Sequence, residues 1–366
     1  MFNHLDPYSR YVSPEDAAVD RSRRAGRAGV GLDLELRRGA FVVSGVQADG
    51  PAGLGGIKVG ERILAVDAAS VQGADLKAMA ALLGGPGGTL VELTLRGLDA
   101  RARTVLLERI SRPPETVVPV TRGGMLVLRV TGFARNTAAR LAQELITGLS
   151  VTPQPRGVVI DLRGNRGGLL LQAVASAAMM QPDGVVAVTA GRHPQAAHEF
   201  RADGRDLGLG LPVIVLVDGR TASSAEILAA SLSDQRRAVV VGSATQGKGL
   251  VQTVAELPDG GELLVSWSRV LAPRGWPIQG LGVLPQICTS RGEDNLARQL
   301  KLLASGTPPL AAATSRHRLA RAPLPPGEAL VIRNICPAAE GRDADLTAAR
   351  FLINTPNAYQ AALIEP

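Results

Sequence analysis

The rhythm of apolar and polar positions changes near residue 110. From Gly29 to about Leu107 the chain runs through short segments with period-two alternation: VGLDLEL, GAFVVSGV, ERILAVD and TLVELTLRG. Such alternation marks half-buried strands. The glycine-rich ADGPAGLGGIKVG interrupts them. In ADLKAMAALLGG the residues Leu76, Met79, Ala80 and Leu83 recur at helical spacing, and Gly84-Gly85 stops the run. This stretch predicts a small, partly closed β-barrel carrying one main helix.

A second pattern begins near Val117. MLVLRVTGF, RGVVIDLRG, GVVAVTAG, PVIVLVDG, RAVVVGS and GELLVSWSRVL read as strands; TAARLAQELITGLS, GLLLQAVASAAMM and SSAEILAASLSDQ, interleaved with them, read as helices. Strands apolar on both sides belong to a covered sheet, and strand–helix alternation predicts an α/β layer structure of βα repeats. Beyond about Cys288 the pattern is less organised, with one helix in DNLARQLKLLAS, the Pro-rich APLPPGEA and a last helix near DLTAARFL. Residues 1–28 read as a polar arm, the remnant of a helical region, so a missing upstream segment is expected. The expected division is arm 1–28, barrel 29–108, α/β core 109–290 and C-terminal extension 291–366.

Composition narrows the function classes. The chain has 366 residues, is 45% hydrophobic and carries a net charge of +7, enough for two or three domains with real cores. The basic residues are dispersed apart from Arg21, Arg23, Arg24 and Arg27, read as a solvated linker. Without aromatic interleaving or zinc spacing, no nucleic-acid partner is expected. No window reaches 18 uncharged apolar residues, so no transmembrane segment is expected. Cys288 and Cys336 fit no metal pattern, and sequence leaves open whether they pair. No metal or cofactor is expected.

Three candidate sites sit where a strand hands over to a loop or helix, the usual place for sites in α/β sheets. DLRGNRGG, Asp161 to Gly168, could turn backbone N–H groups toward a developing negative charge, or simply make a tight turn. In GRTASSAEILAASL, Ser223 and Ser224 open a helix; Ser223 with Glu226 fits a capping box, and a serine there is as readily a cap as a nucleophile. In TQGKGLVQ, Lys248 lies between two glycines; it is one of only four lysines among forty basic residues. A lysine, unlike an arginine, can lose its proton when buried and act as a base. Gln252, four residues on, could hold its ammonium. The histidines are poor rivals: His4 in the arm, His193 and His198 in a polar loop, His317 in a disordered-looking tail. Together the three segments point to serine–lysine hydrolysis.

Taken in series, these segments resemble the C-terminal processing peptidases, tail-specific serine proteases of peptidase family S41. LDPYSRYVSPED is similar to the family segment before its PDZ domain, and DGPAGLGGIKVGERILAVDAASV to the PDZ domain itself. DLRGNRGG, GRTASSAEILAASL, RAVVVGSATQGKGLVQ and SRVLAPRGWPIQGLGVLPQI resemble the catalytic motifs in order. The resemblance implies an α/β fold with a ClpP/crotonase-like catalytic core and an inserted or preceding PDZ domain. It implies Ser223 as nucleophile, Lys248 as general base and Gln252 as its orienting residue. The oxyanion donors would be the N–H groups of Ser224 and of Gly167 or Gly168. Val30, Gly31 and Leu32 would hold the carboxylate of a peptide added as an extra strand. Implied partners are proteins or peptides with accessible C-termini, and a homo-oligomer is compatible. The implied location is the periplasm, or another exported site, of a bacterium.

The motif departs from the family at Ser224 and Ala225, which reverse the usual Ala and Ser. Arg166 replaces a proline, Gln286 an aspartate, and Gly275-Trp276-Pro277-Ile278 the usual Gly-Arg-Ser-Ile; altered substrate selection or tail placement is the expected consequence. Two other classes compete. One is a catalytically silent PDZ-bearing binding scaffold, which loss of Ser223, Lys248 or Gln252 would mark. The other is a crotonase-type acyl-CoA enzyme, which a CoA-sized cleft without a peptide groove would mark.

Overall fold

The computed structural model describes residues 6–17, 28–48, 50–110 and 115–363. His4 and the basic run of Arg21, Arg23, Arg24 and Arg27 lie outside the described residues. The chain divides into two compact units, one of Val12–Pro113 with Glu256–Glu262 and one of Met1–Tyr11, Pro114–Ala255 and Leu263–Pro366. The first is thus inserted in the sequence of the second, just after the short strand β1 (Arg10–Val12) begins.

In the inserted unit, β2 (Leu32–Arg37), β3 (Ala40–Val46), β4 (Arg62–Val66), β5 (Ala69–Ser70), β6 (Leu90–Arg96) and β7 (Ala102–Glu108) form one sheet. Its order is β2-β3-β4-β6-β7 with β5 against β4, and every pairing is antiparallel. Alternation buries Phe41 and Val43 of β3 and Val91, Leu93 and Leu95 of β6 in one core. The helix Leu76–Leu83 begins at Asp75, whose carboxylate accepts the Ala78 N–H at 2.7 Å, satisfying a donor the helix itself cannot. It buries Met79 and Leu83 and leaves Leu76 and Ala80 exposed.

The other unit carries β8 (Val117–Arg122), β9 (Met125–Val130), β10 (Val158–Asp161), β11 (Val185–Ala190), β12 (His198–Arg201), β13 (Val213–Val217), β14 (Val239–Gly242), β15 (Leu250–Glu256), β16 (Glu262–Leu271) and β17 (Ile287–Cys288). Its main sheet has the order β17-β14-β13-β10-β9-β8, parallel except for β8 against β9. On one face Leu128, Ile160, Val215 and Val240 pack with residues of the helices Thr137–Leu149, Leu170–Ala178 and Ser224–Asp234. On the other, Val127, Val159, Ile214, Leu216, Val239 and Val241 pack with Leu296, Leu303, Leu352 and Tyr359.

That second layer comes from residues expected to form a loosely organised tail. Glu293–Ala304, Asp343–Asn354 and Pro356–Ala362 are helices, and their apolar stripes cover strands that would otherwise expose one whole face. His317, placed in that tail by sequence, is buried in the helix Ala311–Leu319. Its Nε2 lies 2.8 Å from the Gly282 carbonyl, and its ring meets Trp276 edge-on at 4.4 Å. Burial pushes its pKa down to about 4, against the Gly282 bond and with help from Arg318 and Arg333. Cys288 and Cys336 form a disulfide, with Cα atoms 5.6 Å apart.

The ClpP/crotonase-like layout expected for the core does not form. β11, β12, β15 and β16 leave the βα series and build a second sheet with β1, in the order β1-β16-β11-β12 with β15 on β16. Alternation identifies strands, but it does not say which sheet each joins. If the C-terminal helices are an integral layer, Leu352→Ala, at a fully buried site, should lower unfolding free energy by about 2–5 kcal/mol. Leu319→Ala, at a side chain 74% exposed, should stay within about 0.5 kcal/mol. Urea titration of the two variants reads the difference.

Candidate active site

Two strand exits of the main sheet meet at one buried carboxylate, and a third packs against them. β13 runs into the turn DGRTA and then the helix Ser224–Asp234, all of whose residues are buried. Asp218 pins this turn to the exit of β10, accepting the N–H of Gly164 at 3.0 Å and of Thr221 at 2.9 Å on one oxygen. Ser223 follows with φ 58° and ψ −123°, a conformation that costs an L-residue free energy and persists only where its surroundings enforce it. A sharp strand-to-helix turn of this kind lifts a serine hydroxyl clear of the backbone.

Glu226 helps to hold the turn. This side chain is fully buried and accepts the Ser223 N–H at 2.7 Å and the Lys248 N–H at 2.9 Å on the same oxygen, Oε2. Its Oε1 accepts the Gly247 N–H at 2.7 Å and the Thr245 hydroxyl. The expected capping glutamate is therefore also the point where the serine turn and the lysine loop are joined. Burial pushes its carboxyl above the usual carboxylate range; the four donors, from Thr245, Lys248, Gly247 and Ser223, pull the other way.

The lysine loop is shaped by both flanking glycines. A Cβ on Gly249 would lie 2.4 Å from the Gln279 nitrogen, and Gly247, at φ 81°, faces Gly280 and Gly282 at 3.1 Å. The segment from Ile278 to Val283 grips the loop further. Gln279 Oε1 accepts the Gly249 N–H at 2.8 Å, and the Val283 N–H donates to Thr245 Oγ1 at 2.7 Å. Lys248 itself is exposed, not buried as the sequence suggested: the loop commits its backbone to Glu226 and turns its side chain outward. Among the described residues no hydrogen bond joins Ser223 Oγ to Lys248 Nζ. Nor does one join Lys248 to Gln252, whose Nε2 donates to the Tyr8 carbonyl at 2.9 Å.

The glycine loop lies against the serine. A Cβ on Gly167 would come within 2.8 Å of the Ser223 Cβ, and one on Gly168 within 2.3 Å of the Phe133 carbonyl oxygen. Buried Asn165 fixes the loop, donating to the Val130 carbonyl at 2.9 Å and accepting the Gly167 N–H at 2.8 Å. The Gly167 N–H is thereby occupied. Among the described residues no acceptor takes the N–H of Gly168 or of Ser224. The Ser224 hydroxyl, at a residue only 2% exposed, donates to the Gly168 carbonyl at 2.9 Å. Of the departures from the family pattern, Arg166 is exposed in this loop, whereas Gln286 and Trp276 are core residues. Gln286 accepts the Val240 N–H at 2.7 Å, and the Trp276 indole donates to Asp234 at 2.8 Å.

Sequence reasoning missed Asn165, Asp218 and Thr245, and saw Glu226 only as a cap. The available signal was a carboxylate one position before Ile227-Leu228 in a helix with no polar face.

In the inserted unit, Val30, Gly31 and Leu32 border a groove of about 400 Å³ between β2 and the helix Leu76–Leu83, lined also by Leu34, Leu76 and Ala80. β2 pairs only with β3, so its outer edge faces the groove. These three residues belong to the inserted unit and the serine and lysine to the other.

Residues 124–289 match the model for peptidase family S41, and residues 42–97 match a PDZ domain. The carboxy-terminal-processing protease of Bartonella bacilliformis is 32% identical over 292 residues, covering 78% of this chain and 67% of that protein. The chloroplastic C-terminal processing peptidase of Tetradesmus obliquus is 33% identical, covering 77% and 64%. The solved photosystem II D1 C-terminal processing protease is similar at 30% identity, covering 80% of this chain and 82% of that one with a TM-score of 0.47. The chain thus spans about two thirds of the length of the curated relatives. The core is accordingly an S41 peptidase fold with a PDZ insertion rather than a ClpP/crotonase-like one. The serine turn, glycine loop and lysine loop all fall within the matched peptidase segment, and on the identity and coverage of its relatives this chain belongs to peptidase family S41, the carboxy-terminal-processing serine proteases.

Proposed function

We propose that the chain is a serine endopeptidase acting on proteins captured through their C-terminal tails, with Ser223 and Lys248 as its dyad. The observation that carries this reading is the shared Glu226 oxygen, which holds the N–H groups of both residues. Ser223 Oγ attacks the scissile carbonyl while Lys248 Nζ takes its proton. The oxyanion is met by the N–H groups of Ser224 and Gly168, which have no acceptor among the described residues; Gly167 is excluded because its N–H already serves Asn165. Lys248 then protonates the leaving amine, and an acyl-enzyme remains for water to clear. Ser224 is not the nucleophile in this reading, since its buried hydroxyl is committed to Gly168.

The Lys248 side chain is exposed, and a substrate strand lying over it would exclude water from the dyad. Tail capture is assigned to the PDZ groove. The open edge of β2 can pair with a peptide backbone, Leu32 and Leu76 offer apolar contact, and the turn at Val30-Gly31 can hold the carboxylate. The disulfide supports an oxidising, exported location, where such bonds persist.

The first test is hydrolysis of an unfolded protein with an apolar C-terminal tail, beside labelling by a fluorescent fluorophosphonate. Ser223→Ala and Lys248→Ala should each lose at least about 10³-fold in turnover, while Ser224→Ala should stay within about tenfold. Turnover surviving Ser223→Ala overturns the assignment; a tail peptide that binds a chain unable to label or cut favours the silent scaffold. Glu226→Gln replaces two acceptor oxygens facing four donors by one oxygen and an NH2 group. Turnover should fall about 10²-fold and stability by about 1–3 kcal/mol, read by kinetics and urea titration on the same preparation. Amidation of the tail peptide's C-terminus should weaken its binding about tenfold or more in calorimetry, because the backbone N–H donors at the Val30-Gly31 turn would lose the charged oxygen they bond.

A further inference from the structure

The segment Asp6–Tyr11 belongs to the peptidase unit although the inserted unit separates it from the rest of that unit in sequence. Its first turn is tightly organised. Asp6 Oδ1 accepts the N–H groups of Tyr8 at 2.8 Å and Ser9 at 3.0 Å, and also the Ser266 hydroxyl at 3.0 Å. Asp6 Oδ2 accepts the Ser9 hydroxyl at 2.5 Å, and Ser9 Oγ in turn accepts the Ser266 N–H at 3.0 Å. The turn is thereby locked to β16, with which the following strand β1 pairs. A further bond runs from Gln252 Nε2 on β15 to the Tyr8 carbonyl.

This bond fixes more than position. A backbone carbonyl can only accept, so the NH2 end of the Gln252 amide must face Tyr8. The other end, Oε1, is then the one that remains to accept a hydrogen bond from a cation. A glutamine free to flip can also present its NH2 group to an ammonium, which is repulsive.

We propose that Asp6 is a positioning residue of the peptidase: through the Asp6–Ser9 turn it holds the Tyr8 carbonyl against Gln252 and so keeps Oε1 available to the Lys248 ammonium. The inference rests on the proposed role of Gln252 as the residue that orients Lys248. It makes residues 6–11, before the inserted unit, part of the catalytic apparatus rather than an arm.

The test uses the full chain and compares Asp6→Ala, Ser266→Ala, Gln252→Ala and the double variant Asp6→Ala/Gln252→Ala. kcat and KM are measured on the tail-bearing unfolded protein, with the fluorophosphonate labelling rate alongside. Asp6→Ala should lower kcat and labelling about tenfold or more, leave KM within about twofold, and match Gln252→Ala. Ser266→Ala, which loosens the same turn from its other side, should lower kcat in the same direction. Because Asp6 acts only through Gln252, the double variant should be no slower than Gln252→Ala alone. Asp6→Asn, which keeps an oxygen for the Tyr8 and Ser9 N–H groups, should restore most of the rate. Two results overturn the proposal while sparing the role of Gln252: wild-type kcat in Asp6→Ala beside an impaired Gln252→Ala, or losses that multiply in the double variant. Wild-type kcat in Gln252→Ala overturns the lysine-orienting role itself, and the tether with it. A fall in thermal midpoint matched by equal losses in kcat and binding marks misfolding, and sinks the positioning role as well.

Discussion

One buried carboxylate sets the geometry on which the rest of the site depends. Glu226 is buried away from bulk solvent, and four donors from two separate segments converge on its two oxygens. Losing any one leaves part of a buried acceptor unmet, which costs far more than the bond contributes on the surface. Ser223, held at positive φ, turns its N–H to the same Oε2 that takes the Lys248 N–H. The serine turn and the lysine loop thus share one buried acceptor.

The loop in turn leans on the C-terminal region. Arg333 donates to the Leu281 carbonyl at 2.9 Å, and its guanidinium lies near Gly247 and Gly282, adding a positive field at Glu226. The disulfide ties Cys336, just beyond that arginine, to the end of β17, and the Ala244 N–H donates to the Cys336 carbonyl. Chain beyond residue 290 therefore does two jobs. It covers the second face of the main sheet, and it backs the segment that carries Lys248.

Much of this was legible from sequence, for reasons that differ by element. Period two in β3 and β6 survived because one face of that sheet is apolar and the other is not. The unbroken apolar strands VVID and VIVLV announced a sheet covered on both faces. What they could not announce was the identity of the second cover, because Leu352 and Tyr359 lie more than a hundred residues away along the chain. The site was legible at the glycines and at Ser223 and Lys248, whose types are unusual for their places. It was not legible at Glu226, where a cap and a buried junction demand the same residue at the same spacing. The exposure of Lys248 was also hidden, since glycine flanks show that a backbone approaches something closely but not which way the side chain turns.

That exposure bears on how a protease of this kind avoids indiscriminate cutting. Preorganised donors and a strained serine raise reactivity whether or not substrate is present. The base does not share that readiness, because the Lys248 side chain is exposed and, among the described residues, bonds neither Ser223 nor Gln252. In the reading proposed for this chain, the serine turn and oxyanion donors stand assembled while the lysine is positioned only when substrate covers it. A peptide held long enough to cover Lys248 would be cut, and one that merely brushes the site would not. Selectivity of this sort needs no separate inhibitory element: it follows from placing the rigid groups on buried backbone and the proton-transfer group on a solvated side chain.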